Sequence, residues 1–136
     1  MSLETNKALV RRQFEELINR KNLAVIDADM APDFVDHEAA PGLPPGLDGV
    51  RAWITALYTA CPDFHVTIED VIAEGDRVVV RNTWRGTHTG PLLGIPPTGR
   101  PFVLTGIVIW RVVDGKIRER WATLDQLGLR RQLGAE

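Results

Sequence analysis

The stretch FVLTGIVIWRVVDGKIRERWATLDQ, residues 102–126, decides how this chain folds. Phe102, Leu104, Val108 and Trp110 fall on alternate positions, the period of a strand whose side chains point to opposite faces in turn. Asp114-Gly115 then interrupts the run, and strand-like sequence resumes over 116–126. An Asp-Gly pair between two such runs marks a two-residue hairpin, because that turn needs positive φ at both positions. Antiparallel strands over 102–113 and 116–126 follow. Upstream, the same period runs through residues 65–73 and 77–88, turned at Glu74-Gly75-Asp76. Arg77, Arg81, Thr83 and Arg85 alternate there against Val78, Val80, Asn82 and Trp84, so one face is wet and the other dry.

The first half of the chain has a different period. Val10, Phe14, Leu17 and Ile18 form one apolar stripe at helical spacing, with Ser2 placed to cap the helix. Residues 23–30 read as a short second helix stopped by Pro32. Residues 32–49, PDFVDHEAAPGLPPGLDG, are dense in proline and glycine and predict an ordered loop carrying Asp36, His37 and Glu38. Asp48 then caps a third helix bearing Val50, Trp53, Ile54, Leu57 and Tyr58, which Pro62 ends. Helices followed by a strand meander predict an α+β layer, with helices over one face of a twisted sheet that bends into a cone around an apolar pocket. With 136 residues and no internal repeat or linker, one domain over 1–136 is expected.

Composition narrows the function. Hydrophobic residues make up 44% and charged residues 25%, ordinary for a soluble globular protein and short of a membrane span. The net charge is -2 with scattered basic residues, which argues against nucleic acid as a partner. The first twenty residues lack the apolar core of a signal peptide, and the one cysteine, Cys61, excludes an internal disulfide; a cytoplasmic location is expected. Cys61 itself reads as a packing group. The three histidines and their acidic neighbours show no metal-ligand spacing, so metal-free chemistry is expected.

Chemistry in an apolar pocket needs polar groups that share strand parity with large apolar ones. On the last strand Ile117, Glu119, Trp121, Thr123 and Asp125 fall on one face if no bulge intervenes. Asp125 is then the candidate acid/base, since a carboxyl desolvated among aromatic side chains is shifted toward proton transfer. His88 shares the face of Trp84, and His37 sits in the loop; either suits an oxyanion donor or an orienting partner. The substrate wall is assigned to Trp53, Tyr58, Trp84 and Trp121.

Three segments carry a family resemblance: FVDHEAAPG (34–42), GTHTGPLLGIPPTGRPFVLTG (86–106) and RVVDGKIRERWATLDQLGLRRQLG (111–134). Through them the chain resembles the SnoaL-like polyketide cyclases of the nuclear transport factor 2-like superfamily. The resemblance implies a cone-shaped, cystatin-like α+β barrel with no metal or organic cofactor, often dimerised through its open sheet. It also implies an aspartate at the end of a WxxxD segment, here Asp125, acting as acid and base in an intramolecular aldol ring closure on a small apolar molecule. His37 and His88 would be further pocket groups. One departure is Trp110-Arg111, which stands where some cyclases carry a histidine. The rival readings are an isomerase, dehydratase or hydrolase on the same cone, or a non-catalytic binding or dimerisation module. A homodimer is expected from the exposed parity of Ile107, Ile109 and Val113.

Overall fold

The computed structural model describes residues 2–135. Helix α1 (Leu3–Gln13) starts at Ser2, whose hydroxyl accepts from the Thr5 amide at 3.0 Å. It continues as a π-helical segment, Phe14–Asn19, in which the Arg20 amide reaches back five residues to the Glu15 carbonyl. Both segments bury the stripe read from the sequence: Val10, Phe14, Leu17 and Ile18 are at most 5% exposed. Helix α2 (Ala24–Asp29) is short, and α3 (Gly46–Ala60) packs against it. Its first turn differs from expectation: Pro45 precedes the helix, and Asp48 pairs with Arg51 instead of capping.

Four strands lie close to where the alternation put them: β2 (His65–Glu74), β3 (Arg77–Thr87), β4 (Pro101–Val113) and β5 (Lys116–Leu124). A further strand, β1 (Met30–Asp36), occupies part of the stretch expected to be loop. It pairs parallel to β5 and closes the order β1-β5-β4-β3-β2. Pro32 hid it, yet at a sheet edge a strand needs ladder bonds on one side only and tolerates a missing N–H. The C-terminal helix α4 (Gln126–Gln132) was also unread; the last strand stops at Leu124.

The sheet curves around α1, α2 and α3. Its concave face buries Val78, Val80, Val108 and Ile117 completely, each contributing about 1.5–3 kcal/mol of burial. Asp114 and Gly115 both take positive φ, 52° and 73°, forming the expected β4–β5 hairpin. Cys61 is fully buried in this core, and burial, reinforced by the nearby Asp63 charge, pushes its thiol up to about 11. No helix among the described residues is long and apolar enough to cross a membrane.

A loop from 88 to 100 joins β3 to β4 and is fastened to the end of α3: the Thr89 and Gly90 amides both donate to the Ala60 carbonyl, at 3.0 and 2.8 Å. A side chain on Gly90 would meet the Ala60 Cα at 2.8 Å. Gly90→Val is therefore expected to lower stability by about 1–3 kcal/mol, read from the urea midpoint.

Candidate functional site

A cavity of about 590 Å³ lies between the concave face of the sheet, α1, α3 and two loops, 37–45 and 88–100. Phe14, Trp53, Phe64, Trp84, Phe102 and Trp110 supply its aromatic wall. Phe14 stands edge-on to both Trp84 and Trp110, with ring centroids 5.8 Å apart in each case, so the rings hold one another in place. Trp84 is fixed further by its indole N–H, which donates to Asn82 Oδ1 at 2.7 Å.

One ion pair belongs to the described residues of this wall. Arg120 Nη1 donates to both carboxylate oxygens of Asp36, at 3.0 and 3.1 Å, and the Glu38 amide donates to Asp36 Oδ1 at 2.9 Å. Their side chains are only 21% and 18% exposed for Asp36 and Arg120, so the pair is largely withdrawn from water. The Arg120 guanidinium also sits 5.7 Å from the centre of the Trp110 ring. Strand register makes this meeting: Asp36 pairs with Arg120 across β1–β5, and Trp110 pairs with Arg120 across β4–β5.

The residues singled out from sequence do not converge. Asp125 is exposed and caps α4, its Oδ1 accepting from the Gly128 amide at 2.9 Å, and it is absent from the cavity wall. The cause is a β-bulge. Arg111 faces Glu119 while the next residue, Val112, faces Ile117, so Arg118 is an extra residue in β5 and the parity beyond it is reversed. Ile117 points inward, but so then do Arg120 and Leu124, whereas Glu119 and Trp121 lie on the outer face.

His37 is consequently outside as well. Its ring stacks on Trp121, with centroids 4.8 Å apart and planes 9° from parallel, and its Nε2 lies 2.8 Å from Glu119 Oε2. Arg111 Nη1 donates to the other Glu119 oxygen at 2.9 Å, and the Arg77 guanidinium sits 4.6 Å from the Trp121 ring centre. His88 is fully buried at the base of the 88–100 loop, its Nδ1 3.0 Å from Thr98 Oγ1, and is not on the cavity wall. Tyr58 turns away from the cavity; its hydroxyl donates to the Leu17 carbonyl in the π-helical segment. Trp53 and Trp84 do face the cavity. The pair that sequence reasoning missed, Asp36 and Arg120, had one legible half: Asp36 shares strand parity with the buried Phe34.

A twisted five-stranded sheet wrapped around helices and a partly open cavity defines a cone-shaped α+β protein of the nuclear transport factor 2-like class. Comparison with known proteins narrows the class. The family model for SnoaL-like polyketide cyclase matches residues 8–133, and the chain belongs to that family. It is 34% identical over 134 residues to aklanonic acid methyl ester cyclase DauD of Streptomyces sp. (strain C5), covering 93% of this chain and 80% of that one. Aklanonic acid methyl ester cyclase DnrD of Streptomyces peucetius is 31% identical over 140 residues, covering 97% and 92%. The structure of TsrD from Streptomyces laurentii superposes with a TM-score of 0.91 at 32% identity, covering 100% of this chain and 99% of that chain.

Glu119 offers a direct check on the outer network. Its hydrogen bond with His37, and then that with Arg111, hold its carboxyl below the usual carboxylate range. A depressed carboxylate lends stability that is complete above its unfolded value and is lost as pH falls through the folded one. His37→Ala is expected to move the Glu119 titration upward toward the ordinary range, measured by carboxyl-carbon NMR.

Proposed function

We propose that the protein is a cofactor-independent cyclase that closes a ring by intramolecular aldol addition in a polyketide-derived ester, using Asp36 and Arg120. The observation that carries this reading is the withdrawn Asp36–Arg120 pair in an otherwise mainly apolar wall. The cyclase activities named for the relatives support it.

The chemistry follows from the charges. The Asp36 carboxylate takes a proton from a carbon next to a carbonyl, and negative charge moves onto the substrate as an enolate. Arg120, its counter-ion now neutral, faces that enolate instead, so the positive charge stays in place while the negative one moves. The enolate carbon attacks a second carbonyl carbon of the same molecule. A C–C bond forms, the attacked oxygen becomes an alkoxide, and the Asp36 carboxyl returns the proton to it. No atom is gained or lost. Trp53 and Trp84 would press the chain into the folded shape that brings the two carbons together, which is where much of the rate arises.

A change at Asp36 separates this reading from the WxxxD assignment. With aklanonic acid methyl ester as substrate, Asp36→Asn is expected to lower kcat by roughly 10²–10⁴-fold while Asp125→Asn stays near native, since asparagine caps a helix about as well. Loss of turnover in Asp125→Asn alone, with both variants folded, would return the role to Asp125.

One observation favours a second reading. An outward Asp125 is what a non-catalytic binding module predicts, in which the cavity merely holds an apolar metabolite. Stoichiometric binding of the ester with no ring closure would decide for it.

The same reading includes a cytoplasmic homodimer. Val103 and Ile107 on the outer sheet face are 45% and 48% exposed, an apolar area that a second copy would cover. Ile107→Glu is expected to give a monomer by light scattering at micromolar concentration; a native protein already monomeric there would remove the dimer.

A further inference from the structure

Leu93 stands at the tip of the 88–100 loop with a φ of 51°, followed by Gly94 at 76°. Leu92 and Ile95 close the turn on either side, the Leu92 amide donating to the Ile95 carbonyl at 3.1 Å and the Ile95 amide to the Leu92 carbonyl at 2.8 Å. This is the left-handed two-residue turn that the chain also makes at Asp114-Gly115, where φ is 52° and 73°. There the first position holds an aspartate, a residue that tolerates left-handed backbone; here it holds a leucine, whose Cβ and branched side chain make that conformation costly.

Nothing in the turn itself asks for leucine. The side chain, however, lies on the cavity wall and packs partly buried against the core. The base of the loop is firmly tied, by the His88 amide to the Arg100 carbonyl at 2.9 Å, the Gly99 amide to the His88 carbonyl at 2.7 Å and the His88–Thr98 contact at 3.0 Å. A hydrogen-bonded base thus carries a strained tip to the cavity wall, which residues of the 37–45 loop also line. Strain concentrated at one bulky residue over a cavity is retained where that side chain does something the backbone alone does not need.

We propose that Leu93 is a substrate-contacting residue, held in a strained turn so that its side chain closes the cavity over a bound apolar molecule and sets how tightly it is retained. The inference rests on the reading of the cavity as a ligand site. It assigns the 88–100 tip a role separate from Asp36 and Arg120: retention, not proton transfer.

The test pairs a stability measurement with a binding one. Leu93→Asn creates the Asn-Gly pair that this turn prefers, and Leu93→Gly, which also fits the backbone, repeats the comparison should the first variant fail to fold. The probe is N-phenyl-1-naphthylamine, a neutral molecule that fluoresces in apolar surroundings. The expected result is a melting temperature unchanged or raised, together with a dissociation constant weaker by about fivefold or more, mostly through faster release. An unchanged dissociation constant would overturn the proposal, as would weaker binding seen only alongside a lowered melting temperature, which is the signature of a structural residue. Failure of the native protein to bind the probe at all would remove the cavity as a ligand site; binding that ignores position 93 would remove this inference alone.

Discussion

Arg118, the single extra residue in β5, sets the inside and outside of this molecule. Because side chains alternate along a strand, one added residue reverses every position after it. Without the bulge Glu119, Trp121 and Asp125 would follow Ile117 inward; with it Arg120 and Leu124 line the cavity and Glu119 and Trp121 go outside. The consequence at the neighbouring strand is chemical. The register of β1 against β5 sets Asp36 beside Arg120, so the charge brought in by the reversed parity arrives with its counter-ion. A guanidinium that far withdrawn from water without a carboxylate beside it would cost several kcal/mol, roughly 3–5 for a fully buried pair broken at one partner.

The outer face uses the residues the bulge expelled. Trp121 lies between the His37 ring and the Arg77 guanidinium, while Glu119 joins His37 to Arg111, and Arg111 Nε donates to Asp76 at 2.9 Å. This network fastens residue 37 to the convex side of the sheet immediately before the chain turns over the cavity as the 37–45 loop. Asp36 and His37 are thus adjacent in sequence and on opposite sides of the sheet, one facing the cavity and the other anchoring the strand that presents it. The second loop is tied at His88 and Gly90 and reaches the cavity through Leu92 and Leu93. Two fixed-base loops over an aromatic floor give a container whose shape is largely set before anything binds.

Much of the fold was legible because period two and period three-to-four carry clear physical meaning. The stripe Val10, Phe14, Leu17, Ile18, the β2–β3 alternation and the Asp114-Gly115 turn all reflect local geometry that no distant contact had to override. The site was less legible, for two reasons. A parallel edge strand leaves no hairpin signal, and Pro32 disguised β1 as loop. A bulge leaves no signal in the alternation of a strand that mixes charged and large apolar residues on each parity, Glu119 with Trp121 on one and Arg120 with Leu124 on the other, so Asp125 and Trp121 were read on the wrong face. Tyr58 and His88 were misplaced more simply: each has the right helical or strand parity, but the Leu17 carbonyl captures one and the loop closes over the other.

The most direct test is a crystal structure with a ring-closed ester product bound. The account predicts the product inside the cone, with one of its oxygens within about 3.2 Å of Arg120 Nη or an Asp36 carboxylate oxygen and Asp125 still capping α4. A product lying against Asp125, or a cone whose interior stays closed while the ligand sits elsewhere, would contradict it.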